Sequence, residues 1–359
     1  MDRTSNSGAP ARKLSLLPAD TVGECARKAL AFGAETLSGN HAAARAGDIE
    51  GLHRLRVATR RIRASIEMFS EALYAPQLKV FRRDLPWASA QAGAARECDV
   101  IAALIETRAV KIGPALGKAV TPMLDALAVR RAAAHREFCE LLESKKYRNL
   151  IAKLLQPSIR KLSTVRRLGA TAAPAAGQIA RAAARMAAKL DQDAPASVFH
   201  KLRVRIKRLR YALELVADLG GKRHRKTLSR LEDLQETLGL CNDADVAIAW
   251  LRSYAASSGA APDTILAAGA LIQSLGSRER KLRRRSIRKW RRLERSDLIG
   301  GALAEIRKSG KAALAAGAAV EASESAKAAQ PNATPDNAAD RSQSTPVESN
   351  GHSVAEFTL

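Results

Sequence analysis

Histidine, arginine and lysine recur at one spacing in two stretches of this chain, and such side chains in that order are anion ligands. HRLRVATRRIRASIEMF (His53 to Phe69) aligns without a gap on HKLRVRIKRLRYALELV (His200 to Val216), 147 residues further on (200 − 53). His53, Arg54, Arg56, Arg60, Arg61, Arg63 and Glu67 fall on His200, Lys201, Arg203, Lys207, Arg208, Arg210 and Glu214. At about 100° per helical residue, His53, Arg56, Arg60 and Arg63 lie within about 80° of one another. Leu55, Thr59, Ile62, Ile66 and Phe69 form a separate apolar side, and Leu202, Ile206, Leu209, Leu213 and Val216 repeat it. A merely solvated helix face mixes signs, with Glu four residues before Lys or Arg. Here the only acids lie at the far ends, Glu67 and Glu214. Stacked like charges cost a few tenths of a kcal/mol per pair, so a strip kept twice implies a long anionic ligand. His53 and His200 are placed at helix starts, where unpaired N–H groups and the dipole favour an anion. Direct contact with the anion is expected of them ahead of a structural role there.

An acidic segment follows each strip: AQAGAARECDVIAAL (Ala90 to Leu104) and QETLGLCNDADVAIAWL (Gln235 to Leu251). Gly93, Glu97 and Asp99 align with Gly239, Asp243 and Asp245. Two acids per half without His or Cys partners make a poor metal set. Pairing with strip arginines from a neighbouring helix is the preferred role, and no metal is expected.

Helices must carry all of this. A helix from Asp20 or Thr21 towards Ala46 precedes the first strip helix, which reaches about Tyr74 and stops at Pro76. Long helices then follow to about Arg108 and over Thr121 to Glu143. The stretch 169–178, GATAAPAAGQ, is the expected hinge between a first half at 21–168 and a second at 179–310. After it come the second strip helix from Ser197 to Leu219 and a last helix from Pro262 to about Gly310. No strand-like alternation occurs, so the fold class is all-α. Residues 1–20 are expected to be disordered, as is the slightly acidic Ala/Ser-rich tail 311–359.

The doubled pattern H-x-L-R-V-x-x-[RK]-R-[LI]-R, followed in each half by Gly-x3-[ED]-x-D-V, resembles the CHAD family, the conserved histidine α-helical domain. The resemblance covers about residues 21–310, though Glu97 stands where Asp is usual. It implies two pseudo-two-fold-related helical bundles from an internal duplication, with basic helices lining a central groove or pore. It also implies binding of inorganic polyphosphate and association with polyphosphate granules. Carried over residue by residue, the polyphosphate-binding set is His53, Arg56, Arg60, Arg63, His200, Arg203, Lys207 and Arg210. Arg54, Arg61, Lys201, Arg208, Arg283, Arg284 and Arg288 are expected as secondary basic contacts.

Charge agrees with such a partner. The chain of 359 residues carries +24, and its first 310 residues hold 57 basic against 30 acidic side chains, a surplus of 27. The run Arg278 to Arg295 has eleven cations and two acids and reads as a further wall of the channel, with a nucleic-acid or membrane-surface helix as the rival. On a helix Leu282, Trp290 and Leu293 of this run cluster, while Ile287 points elsewhere. KRHRK (Lys222 to Lys226) reads as a rim of the same surface. Aromatics make up only 4%, and a bare phosphate chain needs cation rows without the stacking platforms of single-strand binders. Sequence-blind nucleic-acid binding stands as the alternative function, with weak nucleic-acid affinity at low salt expected in either case. No phosphate-cradling glycine loop, zinc-protease motif or other catalytic set occurs, so neither enzyme activity nor a cofactor is expected. Cys25, Cys98, Cys139 and Cys241 read as buried free thiols in a reducing compartment. With no leader and no membrane span, a cytoplasmic protein is expected.

Overall fold

The computed structural model describes residues 14–161, 165–256 and 259–328. Helix α1 (Val22–Gly39) opens on a capping box: Thr21 Oγ1 accepts from the Glu24 amide at 3.2 Å, and the Thr21 amide donates to Glu24 Oε2 at 2.7 Å. After the short α2 (His41–Arg45) the chain turns at Gly47, whose φ of 81° suits glycine. Asp48 then caps α3 (Ile49–Met68), accepting from the Gly51 amide at 2.6 Å. A single 3₁₀ turn, Ser70–Ala72, leads to α4 (Ala75–Ala109), which has Pro76 in its first turn. The strip helix therefore ends six residues short of Tyr74. Next come α5 (Pro114–Lys118), α6 (Thr121–Glu143), α7 (Lys145–Leu155), α8 (Leu168–Ala187) and α9 (Ala196–Leu215). A 3₁₀ turn at Ala217–Leu219, then α10 (Lys222–Ala255), α11 (Pro262–Arg295) and α12 (Leu298–Ala328) complete the fold. Among the described residues no strand forms, and no helix is long and apolar enough to cross a membrane.

The order of strip helix, 3₁₀ turn and long helix thus occurs twice, α3–α4 and α9–α10. The residues ending the strip helices share one backbone shape, with Phe69 at φ −110°, ψ 23° and Val216 at φ −113°, ψ 27°. All ten residues of the two expected apolar sides are buried, so the period-3.6 pattern oriented both helices. One core joins α1, α3, α7, α8 and α9 with parts of α4, α6, α10, α11 and α12. A second lies among α4, α5, α6, α10 and α11, around Ile101, Met123, Leu251 and Leu271. Each core draws on both sides of residue 169.

Several expectations are corrected. Residues 169–178 are not a hinge but the start of α8. Their small side chains serve close approach: a Cβ on Gly169 would lie 2.7 Å from the Gly310 carbonyl oxygen, and one on Gly310 would lie 2.1 Å from that of Gly169. The alanines that looked like linker are strong helix formers, buried where α8 packs. The expected single last helix breaks at Asp297, which has φ 42°, and resumes as α12. The region from 311 is helical to Ala328, not disordered. From Ala318 the chain forms a separate unit, exposed along its helix as far as Ser325. At the other end, Leu16 is buried and Asp20 holds both the Leu17 amide and Lys28 at 2.8 Å, so order begins before residue 21. Positions 1–13 and 329–359 of the expected terminal segments lie outside the described residues. Cys139 is only half-buried. Ile287 is buried together with Leu282, Trp290 and Leu293, because α11 packs on more than one neighbour.

Candidate anion-binding site

Helices α3 and α9 pack against each other and turn their strips into a common seam. Arg56 and Arg60 of α3 meet Arg203 and Lys207 of α9 there, all half-buried. Burial, then the charges of Arg203, Arg60 and Arg56, push the Lys207 ammonium down to about 6. Arg56 is pushed down to about 10 by burial and then by Arg60, Arg96 and Arg203. Burial likewise lowers Arg203, with Asp243 opposing, and lowers Arg63, where Arg208 adds to the effect and Glu67 opposes it. Asp243 is the acid that acts on Arg56, Arg203 and Lys207 alike. The Arg203 Nε is buried with no hydrogen-bond partner. Desolvated cations with so little counter-charge are costly, and an entering anion repays that cost.

Glu67 crosses from α3 to α9, with 3.3 Å to Arg208 and 3.9 Å to Arg205. Glu214, 147 positions after Glu67, lies in the field of Arg61, 147 positions before Arg208.

The histidines sit one turn inside their helices rather than at the first residues, and both are exposed. At α3 the capping carboxylate of Asp48 already occupies the helix end, so an anion is not drawn to that terminus. His200 Nδ1 is 2.7 Å from Asn242 Oδ1; against that amide oxygen Nδ1–H is the donor. Arg54 and Arg61 are exposed, and Arg54 pairs with Glu50 at 3.1 Å. Lys201 is exposed as well.

Other expected ligands are engaged elsewhere. Arg210 bonds Glu214 at 2.7 Å and Gln235 at 3.0 Å, and its guanidinium lies 4.6 Å from the Tyr211 ring centroid. Arg283 turns inward to Glu279, to Asp245 at 3.6 Å and to the Ala194 carbonyl at 2.8 Å. Arg284 and Arg288 are exposed on α11, and α10 packs against both α9 and α11.

The acidic segments pair with arginines, but of other helices than expected. Asp99 meets Arg131 at 2.6 Å and Glu97 meets Arg130 at 3.6 Å, both on α6, while Asp245 meets Arg283 of α11. The strips are thereby left with few acids. Cys241, Asp245 and Glu279 do bring three donor atoms within 4.8 Å of one another. The Arg283 guanidinium supplies the positive charge in that group, and burial pushes the Cys241 thiol up to about 12, which disfavours a thiolate ligand. A Cβ on Gly239 would sit 3.8 Å from Arg203 Nε, an ordinary contact, and one on Gly93 would meet nothing.

The sequence reading missed Arg96, Arg205 and Asn242. Arg96 and Asn242 occupy matching places before Glu97 and Asp243, and that alignment was the available signal.

The CHAD domain family matches residues 28–252 of the chain. PptA from Streptomyces chartreusis shares the fold with a TM-score of 0.64 at 19% identity, over 76% of this chain and 100% of that one. The crystal structure of the CHAD domain from the plant Ricinus communis gives a TM-score of 0.64 at 24% identity, over 79% of this chain and 97% of that one. Among curated proteins none matches in sequence. At these identities the two structures speak for the fold alone.

Proposed function

This chain belongs to the CHAD domain family, and on that premise we propose that it binds inorganic polyphosphate in the seam between α3 and α9. The observation that carries the reading is the half-buried cation cluster of Arg56, Arg60, Arg203 and Lys207, with Lys207 pushed down to about 6 and Arg203 Nε unpartnered. A polyphosphate chain brings one charge per unit and no bases, and each arginine fork can hold two of its oxygens. The strip-helix aromatics Phe69, Phe199 and Tyr211 are buried, so bases would find no stacking surface beside these cations. The reciprocal placing of Glu67 with Arg208 and Glu214 with Arg61 is the pattern two copies about a two-fold axis produce. It supports an internal duplication with a basic groove between the halves. His53 and His200 flank the groove as exposed donors. In this reading the protein holds polyphosphate on granules in the cytoplasm and performs no reaction on it.

The test is competition at near-physiological salt, with labelled long-chain polyphosphate displaced by duplex DNA, RNA or short-chain phosphate at equal phosphate concentration. Polyphosphate is expected to prevail by 100-fold or more, about 2.7 kcal/mol. Replacing Arg56, Arg60, Arg203 and Lys207 together by Gln is expected to abolish binding with helical content unchanged. Full binding by that variant sinks the proposal.

A further inference from the structure

The outward side of α11 carries the other large concentration of charge. From Arg280 to Arg295, about 22 Å of helix at 1.5 Å per residue, eight cations are exposed and only Glu294 interrupts them. Among the described residues none of the eight is ion-paired. On the helical projection they fall in two adjoining rows. Arg280, Arg284, Arg291 and Arg295 form one, and Lys281, Arg285, Arg288 and Arg292 form the other. The opposite arc, with Leu282, Ser286, Trp290 and Leu293, is buried against the rest of the fold. The two rows therefore face away from the seam-lining cations.

From this geometry we propose that the outer face of α11 is a second polyanion site, which docks double-stranded DNA through its phosphates without reading sequence. An α-helix with side chains is about 10–12 Å across, and the major groove of B-form DNA is about 12 Å wide. Two cation rows on one helix then meet the two phosphate strands that border one groove. A convex, open face offers a flexible chain no walls, whereas a stiff duplex arrives with its charges already arrayed and releases condensed counterions on contact. The apolar side chains of this stretch are buried, so α11 has nothing to insert into a bilayer interface. The major groove of A-form RNA is deep and narrow, which excludes the same docking.

The experiment compares the full chain with Arg280→Gln, Arg285→Gln, Arg291→Gln and Arg292→Gln combined, four exposed α11 cations outside the expected polyphosphate contacts. Gln keeps helix propensity close to that of Arg, and circular dichroism verifies the fold. Affinity for a mixed-sequence DNA duplex is expected to fall at least 100-fold at 0.1 M salt. The slope of log K against log salt should flatten by about 3.6, at about 0.9 per lost phosphate contact. Polyphosphate affinity should stay within twofold. The seam variant with Arg56, Arg60 and Arg203 as Gln should show the reverse pattern. Duplex binding unchanged in the α11 variant overturns the inference, and so does equal affinity for duplex RNA. Binding of anionic vesicles but not of duplex overturns it in favour of a membrane surface. Retention of polyphosphate affinity in the seam variant bears only on the polyphosphate proposal.

Discussion

Lys207 is the residue on which the seam's chemistry turns. Its ammonium, pushed down to about 6 from an ordinary value of 10.5, is mostly neutral in the free protein at pH 7. The unfolded chain keeps that proton up to about pH 10.5, so between the two values the unfolded state binds more protons. This group's contribution therefore makes the free protein more stable as pH rises through that window and less stable as pH falls towards 6. A phosphate chain beside Lys207 favours the charged form, so binding takes up a proton there. Affinity is expected to weaken by up to tenfold per unit above pH 6. Titrations from pH 5.5 to 9 on the parent and on Lys207→Arg test this. The arginine variant should give a flatter profile, and that difference separates Lys207 from the exposed His53 and His200. Identical profiles would show that the lysine does not face the ligand. Lys207→Met should instead stabilise the free protein in urea at pH 7, since an apolar side chain of similar size removes an amine that folding must deprotonate, while weakening polyphosphate binding.

Among the elements, α8 and α12 approach backbone to backbone at Gly169 and Gly310. Any side chain at either position meets backbone, which cannot rotate away as a side chain can. Gly310→Val is expected to cost at least about 2 kcal/mol, in the range of overpacking, measured by urea unfolding. Gly317→Ala, where a Cβ meets nothing, should be neutral or slightly stabilising. The strip helices were legible because sequence period and burial coincide: the apolar sides that start at Leu55 and Leu202 and end at Phe69 and Val216 are buried throughout. α8 was not legible, because glycine, alanine and proline mark a linker and a close helix crossing equally well. The destination of Arg283 was equally hidden. Adjacent to Arg284 in sequence, it turns inward to Glu279, whereas Arg284 stays in water.

For the whole molecule, the surplus of 27 charges over residues 1–310 opposes compaction, and a polyanion that binds only the folded state relieves it. Long-chain polyphosphate at about 100 times its Kd should add about 2.7 kcal/mol of stability and raise Tm by roughly 5 °C or more. Orthophosphate at equal phosphorus should do much less. Equal shifts from both, followed by scanning fluorimetry, would mean general screening rather than a site.

The amino-acid order alone sufficed for the all-α class, the two strip helices with their apolar sides, and the family. Those features rest on local periodicity and on a motif kept at one spacing. Which cations stand free is a different matter, decided by distances between segments far apart in the chain. Arg56 and Lys207 converge because α3 packs on α9, while Arg210 is taken by Gln235 and Glu214. Asp99 and Asp245 go to α6 and α11 instead of neutralising the strips. Burial, and with it the depressed Lys207, is a property of neighbours that no spacing records, so only the tertiary structure decided which of the charges are left without acids beside them.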